Sequence, residues 1–198
     1  MTAPVWLLDF DGVVNAISKR GAKSVWDRWA FDRIPHPDPD DGMDGATLPI
    51  LWSPYVVDTI NYAVDRGVDV RWLTTWREHT ALLPDVIGGL PVLPWMDEDM
   101  LTTVGGKVDV LNQIGQRWKL DVFLGLVPDD VPVLWTDDHL DAILYRASDR
   151  SRVISRKGGT TLVVPRETIG LAQRQVREIR EWIDDYAPKP SSGVDSLG

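Results

Sequence analysis

Short apolar runs alternate with segments of helical periodicity along this chain. The strand-like runs lie at Val5–Leu8, Val68–Thr74, Leu90–Leu93, Val131–Thr136 and Thr161–Val164. Apolar residues at helical spacing predict helices at 53–66, 77–84, 107–118, 139–147 and 167–185. Strands that alternate with helices are typical of a parallel sheet covered by helices. The pattern therefore predicts an α/β fold built on a parallel sheet.

The predicted sheet does not need residues 15–51, which follow its first strand directly. Within this segment, Ser24–Ile34 and Ala46–Leu51 have the character of the two arms of a β-hairpin. An insertion of this length is too short for a separate helical domain, so we expect a flap. The chain is predicted to form one domain over residues 1–187, and residues 188–198, rich in Pro, Ser and Gly, are predicted to be a flexible tail.

Two carboxylates stand at the end of the first apolar run. Asp9 follows Leu8 directly, and Asp11 and Gly12 come next. Because the chain turns at a strand end, Asp11 can lie over Asp9, which suits a nucleophile and its acid/base partner. Asp and Gly are also ordinary turn residues, so this motif alone leaves a plain surface turn open.

Three further motifs follow in order and add chemistry to the first. Thr74 and Thr75 end the second strand-like run with hydroxyl groups. Lys107 follows two glycines and stands at the start of a predicted helix. Asp137 and Asp138 end a later apolar run. Each of the four motifs is predicted to lie where a strand meets a helix, and parallel strands place such junctions at one edge of a sheet.

This ordered set, Asp-x-Asp, Thr, Lys and Asp-Asp, resembles the haloacid dehalogenase superfamily of phosphotransferases. The resemblance spans nearly the whole chain and implies a three-layer Rossmann-like sheet with a flap, or minimal cap, after the first strand. It also implies a magnesium-dependent phosphatase, a hydrolase of phosphomonoesters that forms an aspartyl-phosphate intermediate. A non-catalytic domain of this fold that binds a phosphorylated ligand or a partner stays open, although it would not need Asp11. A dehalogenase is disfavoured, because displacement of a halide requires neither magnesium nor that carboxyl group.

The resemblance assigns a catalytic role to each motif. Asp9 would be the nucleophile, and Asp11 would be the general acid/base that protonates the leaving alcohol and then activates water. Thr74 would bind a phosphoryl oxygen, with Thr75 in reserve because the two side chains point in opposite directions. Lys107 would stabilise the charge of the intermediate.

A divalent cation is expected in the same place. A phosphate monoester is a dianion that repels a carboxylate, and oxygen ligands suit Mg²⁺. The implied ligands are the carboxylates of Asp9 and Asp137 and the backbone carbonyl of Asp11. Asp138 would complete the outer shell of the metal or hold Lys107 in place.

The nature of the substrate is less well specified. Trp26, with Lys19 and Arg20, lies in the predicted flap, where a ring beside cations either stacks on a base or only anchors the flap. Arg77 either reaches a substrate phosphate or is a solvated residue. The Trp-rich stretch around Thr74 also resembles members of the superfamily associated with nucleic-acid end repair. A phosphorylated small molecule and a nucleic-acid end, the substrate of a polynucleotide end phosphatase, are both expected partners.

Composition narrows these possibilities. The formal net charge is −9, which disfavours nonspecific binding to nucleic acid. The chain has no cysteine, which excludes disulfides, thiol nucleophiles and cysteine-ligated zinc. It lacks a basic N-terminal segment followed by a long apolar region, so a cytoplasmic protein without a membrane partner is expected. An oligomer is left open.

Overall fold

The structure is a computed structural model that describes residues 2–36, 46–97, 99–100 and 116–188. Its strands are β1 (Val5–Leu8), β2 (Ala30–Pro35), β3 (Thr47–Trp52), β4 (Asp69–Trp72), β5 (Val133–Thr136) and β6 (Thr160–Val163). Within these ranges, four strands form a parallel sheet with the order β4-β1-β5-β6. The predicted parallel α/β sheet is confirmed, and the arrangement is compatible with a Rossmann-like fold.

Helices connect the strands. Over the described ranges they are α1 (Lys19–Val25), α2 (Pro54–Asp65), α3 (Leu83–Val86), α4 (Trp118–Leu126), α5 (Leu140–Ile143), α6 (Ala147–Ile154) and α7 (Gln173–Tyr186), with a 3₁₀-helix at Arg77–Leu82. The helix predicted at 53–66 is confirmed as α2. Its start follows from local chemistry, because the Ser53 hydroxyl accepts a hydrogen bond from the Tyr55 N–H and Pro54 needs no partner in the first turn.

The sheet is covered on both faces. Trp6 and Leu8 of β1 pack in one hydrophobic cluster with residues of α2 and α7. Val5 and Leu7, which point the other way, pack in a second cluster with residues of α4, α5 and α6. The result is three layers, helix, sheet and helix. A ligand can therefore meet polar side chains of this sheet beyond the ends of its strands. In parallel sheets, ligands bind beyond the carboxyl ends of the strands, which we call the carboxyl edge.

The predicted flap contains the expected antiparallel pair. β2 and β3 pair from Ala30 with Trp52 to Pro35 with Thr47. The predicted first arm, Ser24–Ile34, however, is a strand only from Ala30, and its first two residues belong to helix α1, which the Ser18 hydroxyl caps by accepting from the Gly21 N–H. The segment that joins β2 and β3, residues 37–45, lies outside the described residues.

Other predicted elements also differ from the structure. No strand forms at 90–93, where prolines at 91 and 94 lack the N–H that a ladder needs; instead Trp95 makes an isolated bridge to Trp72. The helix predicted at 139–147 is present only as α5, which ends at Ile143, and a separate helix, α6, begins at Ala147. Arg117 joins the two, because its Nη1 atom bonds the carbonyl of Ile143 at 3.4 Å and Asp149 of α6 at 2.8 Å.

The terminal helix also begins later than the predicted residue 167. Gly170 adopts a φ of +71°, which favours glycine, and a Cβ there would lie 2.7 Å from the carbonyl oxygen of Val13. Leu171 then donates a backbone hydrogen bond to the same carbonyl at 2.8 Å. This turn therefore ties the start of α7 to the loop that follows β1. Of the predicted tail, residues from 189 onward lie outside the described part of the chain.

Candidate active site

The carboxyl edge of the sheet brings three of the four predicted motifs together. Asp9 follows β1 directly, Asp137 follows β5 directly, and Thr74 lies two residues beyond β4. Because β1 pairs in register with both β4 and β5, the three residues leave the sheet at one edge. The backbone continues this alignment, since the Asp9 N–H donates to the carbonyl of Thr136 at 3.0 Å.

Lys119 of α4 lies between two of the carboxylates. Its Nζ atom donates hydrogen bonds to Asp9 Oδ2 and to Asp137 Oδ2, each at 2.8 Å. The lysine side chain is 0% exposed, so its ammonium group depends on these two partners. We call these three residues the buried cluster. Lys107, the lysine that was predicted to stabilise the charge of the intermediate, lies outside the described residues.

Burial shifts the proton affinities of this cluster. It raises the pKa of Asp137 to about 7, and the charge of Asp9 adds to the shift while Lys119 opposes it. Burial alone lowers the pKa of Lys119, but the charges of Asp9 and Asp137 outweigh it and the net shift is upward. Burial also raises the pKa of Asp138. Binding of a positive charge at Asp137, either a proton or a metal ion, is therefore favoured.

Asp11 is held by two neutral donors. Its Oδ1 atom accepts a hydrogen bond from Asn15 Nδ2 at 2.7 Å, and its Oδ2 atom accepts one from Trp76 Nε1 at 2.7 Å. Asn15 in turn accepts a hydrogen bond from the Leu51 N–H of β3 at 2.8 Å. The carboxylate is thus oriented from two sides, and Asn15 connects it to the flap.

Gly12 allows the Asp9–Asp11 loop to approach Asp138. The residue has a φ of +70°, and a Cβ there would lie 2.5 Å from the Asp138 carboxylate, so any side chain would clash. Asp138 is nearly buried, and its Oδ1 atom lies 3.0 Å from Nδ1 of His139. The backbone N–H of His139 donates to Asp137 Oδ1 at 2.7 Å. The two aspartates after β5 are therefore positioned by the residue that follows them.

These residues have the chemistry of a metal site. One ligand atom from each of Asp137, Asp138 and His139 can lie within 4.8 Å of the others, so this group could hold a metal ion. The predicted ligand Asp9 is connected to Asp137 through Lys119. Buried carboxylates with an excess of negative charge, one of them with a raised pKa, fit a hard divalent cation that prefers oxygen ligands. Of the expected ligands, Asp137 and Asp138 belong to the group that could hold a metal ion.

The two threonines after β4 differ in their surroundings. Thr74 is buried, and its Oγ1 atom accepts a hydrogen bond from the Trp76 N–H at 3.4 Å, whereas Thr75 is exposed. The hydroxyl of Thr74 can still donate to another group. Arg77 has a φ of +46°, uncommon for a residue with a side chain, and its guanidinium carbon lies 5.6 Å from the ring centroid of Trp118. Arg77 therefore lies against the residue that precedes Lys119.

A cleft of about 340 Å³ opens beside Asp11. The flap forms one wall through Phe31, Leu48, Pro49 and Leu51, and residues after β1 and Trp76 form the rest. The predicted substrate residue Lys19 lines this cleft, and Arg20 is exposed.

Trp26 does not serve the predicted role of a substrate-binding ring. It is buried, stacks on Tyr55 with ring centroids 5.2 Å apart, and donates from Nε1 to the carbonyl of Leu171 at 2.8 Å. A buried ring that stacks on another ring and donates its N–H to the backbone is not available to a ligand. Of the two interpretations of this residue, anchoring of the flap is the one that the structure supports.

Three residues of the site were not predicted from sequence. Lys119 had a usable signal, because α4 is apolar around nearly its whole circumference and a lysine in such a helix is buried and needs carboxylate partners. Asn15 and Trp76 had none, since their roles depend on hydrogen bonds to Asp11 that only the folded loop creates.

Comparison with known proteins does not assign this chain to a family. A scan against family models, a search of curated proteins and a search of solved structures each found no match. Among the described residues, no helix combines the length and the apolar character needed to cross a membrane. The buried cluster and the cleft beside it are thus the features from which function is inferred.

Proposed function

We propose that this protein is a magnesium-dependent phosphomonoester hydrolase of the haloacid dehalogenase type, with Asp9 as its nucleophile. The observation that carries the proposal is the placement of the Lys119 ammonium between Asp9 and Asp137, at the carboxyl edge of a parallel sheet, with Asp11 facing a cleft. A buried lysine that bridges two carboxylates holds them close together in spite of their repulsion. A site that only bound a phosphorylated ligand would gain nothing from Asp11.

In the first step, a carboxylate oxygen of Asp9 forms a bond to phosphorus and the ester P–O bond breaks. The electron pair goes to the leaving oxygen, which takes a proton from Asp11. Lys119 offsets the charge on Asp9 and keeps the attacking oxygen in place. The products of this step are the free alcohol and an aspartyl-phosphate.

In the second step, Asp11 removes a proton from water as the water oxygen attacks phosphorus. The bond between phosphorus and Asp9 breaks, which releases inorganic phosphate and restores the carboxylate. Asp11 has regained its proton and the cycle is closed. The hydrogen bonds from Asn15 and Trp76 aim both oxygens of Asp11 in a fixed direction during these transfers.

Two further groups contribute to binding of the phosphate. Bound Mg²⁺ would neutralise charge on the phosphate dianion, and Asp9, Asp137, Asp138 and the backbone carbonyl of Asp11 would hold it. The Thr74 hydroxyl donates to a phosphoryl oxygen, because its own oxygen already accepts from Trp76. The exposed Thr75 lacks this support.

The test is hydrolysis of p-nitrophenyl phosphate in MgCl₂ and in EDTA, by the wild-type chain and by Asp9→Asn. We expect turnover with magnesium, none with EDTA, and a loss of at least about 10³-fold in the variant. Asp27→Asn changes an exposed aspartate of the flap and is the matched control, with unchanged turnover. Acid-quenched wild-type protein should carry a phosphoryl group on the peptide that contains Asp9.

Absence of turnover by the wild-type chain under every metal condition would favour the alternative, a non-catalytic domain that binds a phosphorylated ligand or a partner. A nucleic-acid end as the substrate loses one of its supports, because Trp26 is buried and cannot stack on a base. A phosphorylated small molecule is therefore the substrate class that we propose. A cytoplasmic location stays a prediction from the sequence.

A further inference from the structure

The cleft beside Asp11 has an unusual lining for a site that is meant to bind phosphate. Of its ten lining residues, seven are apolar, and the charged ones are Asp11 itself and Lys19. Its volume of about 340 Å³ lies at the lower end of the range for small-molecule pockets. A cleft of this size and lining suits a small apolar group better than a second anionic group.

Two side chains of the cleft expose apolar surface to solvent. Ile17 is 60% exposed and Phe31 is 36% exposed, and they belong to different segments of the chain. Pro49 of β3 adds a third exposed apolar side chain to the same wall. Apolar surface that converges on one concave site marks a place where a ligand is bound.

The cation in the cleft is already engaged with an aromatic ring. Lys19 Nζ lies 3.5 Å from the ring centroid of Phe31, a cation–π contact that covers part of that ring. Trp76 also lines the cleft, and it is held by its hydrogen bond to Asp11 and by an edge contact with Phe10, whose ring centroid lies 5.0 Å away. Two aromatic side chains, Phe31 of β2 and Trp76 after β4, therefore belong to the lining of the cleft.

We infer that this cleft is the binding site for the leaving group and that the substrate is a phosphate monoester whose alcohol carries a flat, uncharged, apolar ring. The inference rests on the proposed function, since it takes Asp11 as the acid that protonates the leaving oxygen. The atom that Asp11 protonates must lie beside it, so the carbon skeleton attached to that oxygen extends into the cleft that Asp11 lines.

The decisive comparison is between benzyl phosphate and n-propyl phosphate with MgCl₂. Both are esters of primary alcohols that need the same assistance from a general acid, so a difference in kcat/KM reports binding of the ring and not reactivity. We expect benzyl phosphate to be preferred by about tenfold or more, the size of effect that a few additional buried carbons produce in an apolar pocket. Equal values would overturn the inference and leave the proposed hydrolase intact.

A matched pair of variants assigns the preference to the cleft. Ile17→Trp fills the cleft from an exposed position that does not hold the fold together, and we expect it to reduce the preference for benzyl phosphate at least about fivefold. Ile154→Trp makes the same change in α6 at a residue with a similar exposure of 53%, outside the cleft lining. It should leave turnover of both esters unchanged. An equal effect of the two variants would contradict the assignment.

A binding measurement separates this inference from the proposed function. Benzylphosphonate and n-propylphosphonate have no ester bond, so their affinities can be measured by calorimetry whether or not the protein is a hydrolase. Tighter binding of benzylphosphonate by about tenfold, lost in Ile17→Trp, supports the cleft even if no ester is hydrolysed. Equal affinities, or no binding of either compound, would overturn it.

Discussion

The carboxylates Asp9 and Asp11 stand two residues apart, yet their surroundings differ. Asp9 belongs to the buried cluster, where Lys119 is fully enclosed and charges interact at low dielectric. Asp11 is only partly buried and is held by the neutral side chains of Asn15 and Trp76 at the edge of the cleft. One carboxylate is thus fixed by charge and the other by oriented hydrogen bonds.

Under the proposed function, this difference separates two tasks within one site. A nucleophile that must attack the same atom in every substrate benefits from a rigid, enclosed environment with a compensating cation. An acid/base group that faces the variable part of the substrate needs open space beside it. The cleft between Asp11 and the flap is that space. Substitutions in the buried cluster should therefore affect folding and chemistry together, whereas those at the cleft should affect chemistry with little effect on folding.

The largest effect on stability is expected for Lys119→Met, which keeps the length of the side chain and removes its charge. Asp9 and Asp137 would then be buried together without a cation, and loss of one partner from a buried ion pair destabilises a protein by about 3–5 kcal/mol. Turnover should fall roughly 10²–10³-fold. Urea denaturation and assay of p-nitrophenyl phosphate measure the two effects.

Lys157→Met is the control for that variant, because this lysine is exposed. Its unfolding free energy should stay within about 0.5 kcal/mol of the wild type. If Lys119→Met were as stable as this control, the carboxylates would not depend on Lys119. The proposed difference between the buried cluster and Asp11 at the cleft would then be wrong.

Asp11→Asn should reduce turnover strongly and stability only slightly. We expect turnover to fall roughly 10²–10⁴-fold, because proton transfer is lost. The unfolding free energy should fall by only about 1 kcal/mol, since one amide oxygen still accepts from one of the two donors. The rate at which p-nitrophenyl phosphate phosphorylates Asp9 should fall less than the rate with benzyl phosphate. Nitrophenolate is a good leaving group, whereas the benzyl alcohol oxygen depends more on protonation by Asp11.

Rapid-mixing experiments measure that first step separately from hydrolysis of the intermediate. Equal losses for the two esters would mean that Asp11 does not protonate the leaving group. The side of the site that faces the cleft would then have another role.

The same contrast explains which parts of the site were predictable from sequence. Asp9 and Asp137 end apolar runs, and a parallel sheet brings such residues together at its carboxyl edge regardless of the conformation of the loops. Lys119 reaches them from a helix whose position relative to the sheet depends on packing, and no spacing rule distinguishes it from Lys107. Asn15 and Trp76 depend on the backbone of the loop after β1, including Gly12, and loop geometry of this kind is not encoded in periodicity.

Asn15→Ala should have a smaller effect that tests the link between the flap and Asp11. The substitution removes the donor to Asp11 Oδ1 and leaves the Leu51 N–H without its acceptor. Stability should fall by about 1–3 kcal/mol, and kcat about tenfold, while KM changes little if Asn15 only positions the acid.

Asn61→Ala is the matched control, because Asn61 also uses its side chain to join two segments, through the carbonyls of Val57 and Gly89, away from the site. It should lose similar stability and no activity. A fall in kcat of the same size in both variants would mean that Asn15 acts only through stability.

The smallest effect is the response of stability to magnesium and pH, which should come mainly from Asp137 of the buried cluster. Burial raises the pKa of Asp137 to about 7, so between about pH 4 and pH 7 the folded chain holds a proton that the unfolded chain has released. This group alone therefore lowers the unfolding free energy as the pH rises through that window. A cation competes with the same proton and is favoured above pH 7.

At constant ionic strength, 10 mM MgCl₂ should raise Tm by about 3–5 °C at pH 8.5 and by less than about 1 °C at pH 5.5, for a dissociation constant of about 1 mM. Asp137→Asn should abolish this dependence on pH. Asp11→Asn should preserve it, because only the backbone carbonyl of Asp11 is proposed as a ligand. Equal shifts at both pH values in the wild-type chain would show that the cation binds elsewhere than at the carboxylate that follows β5.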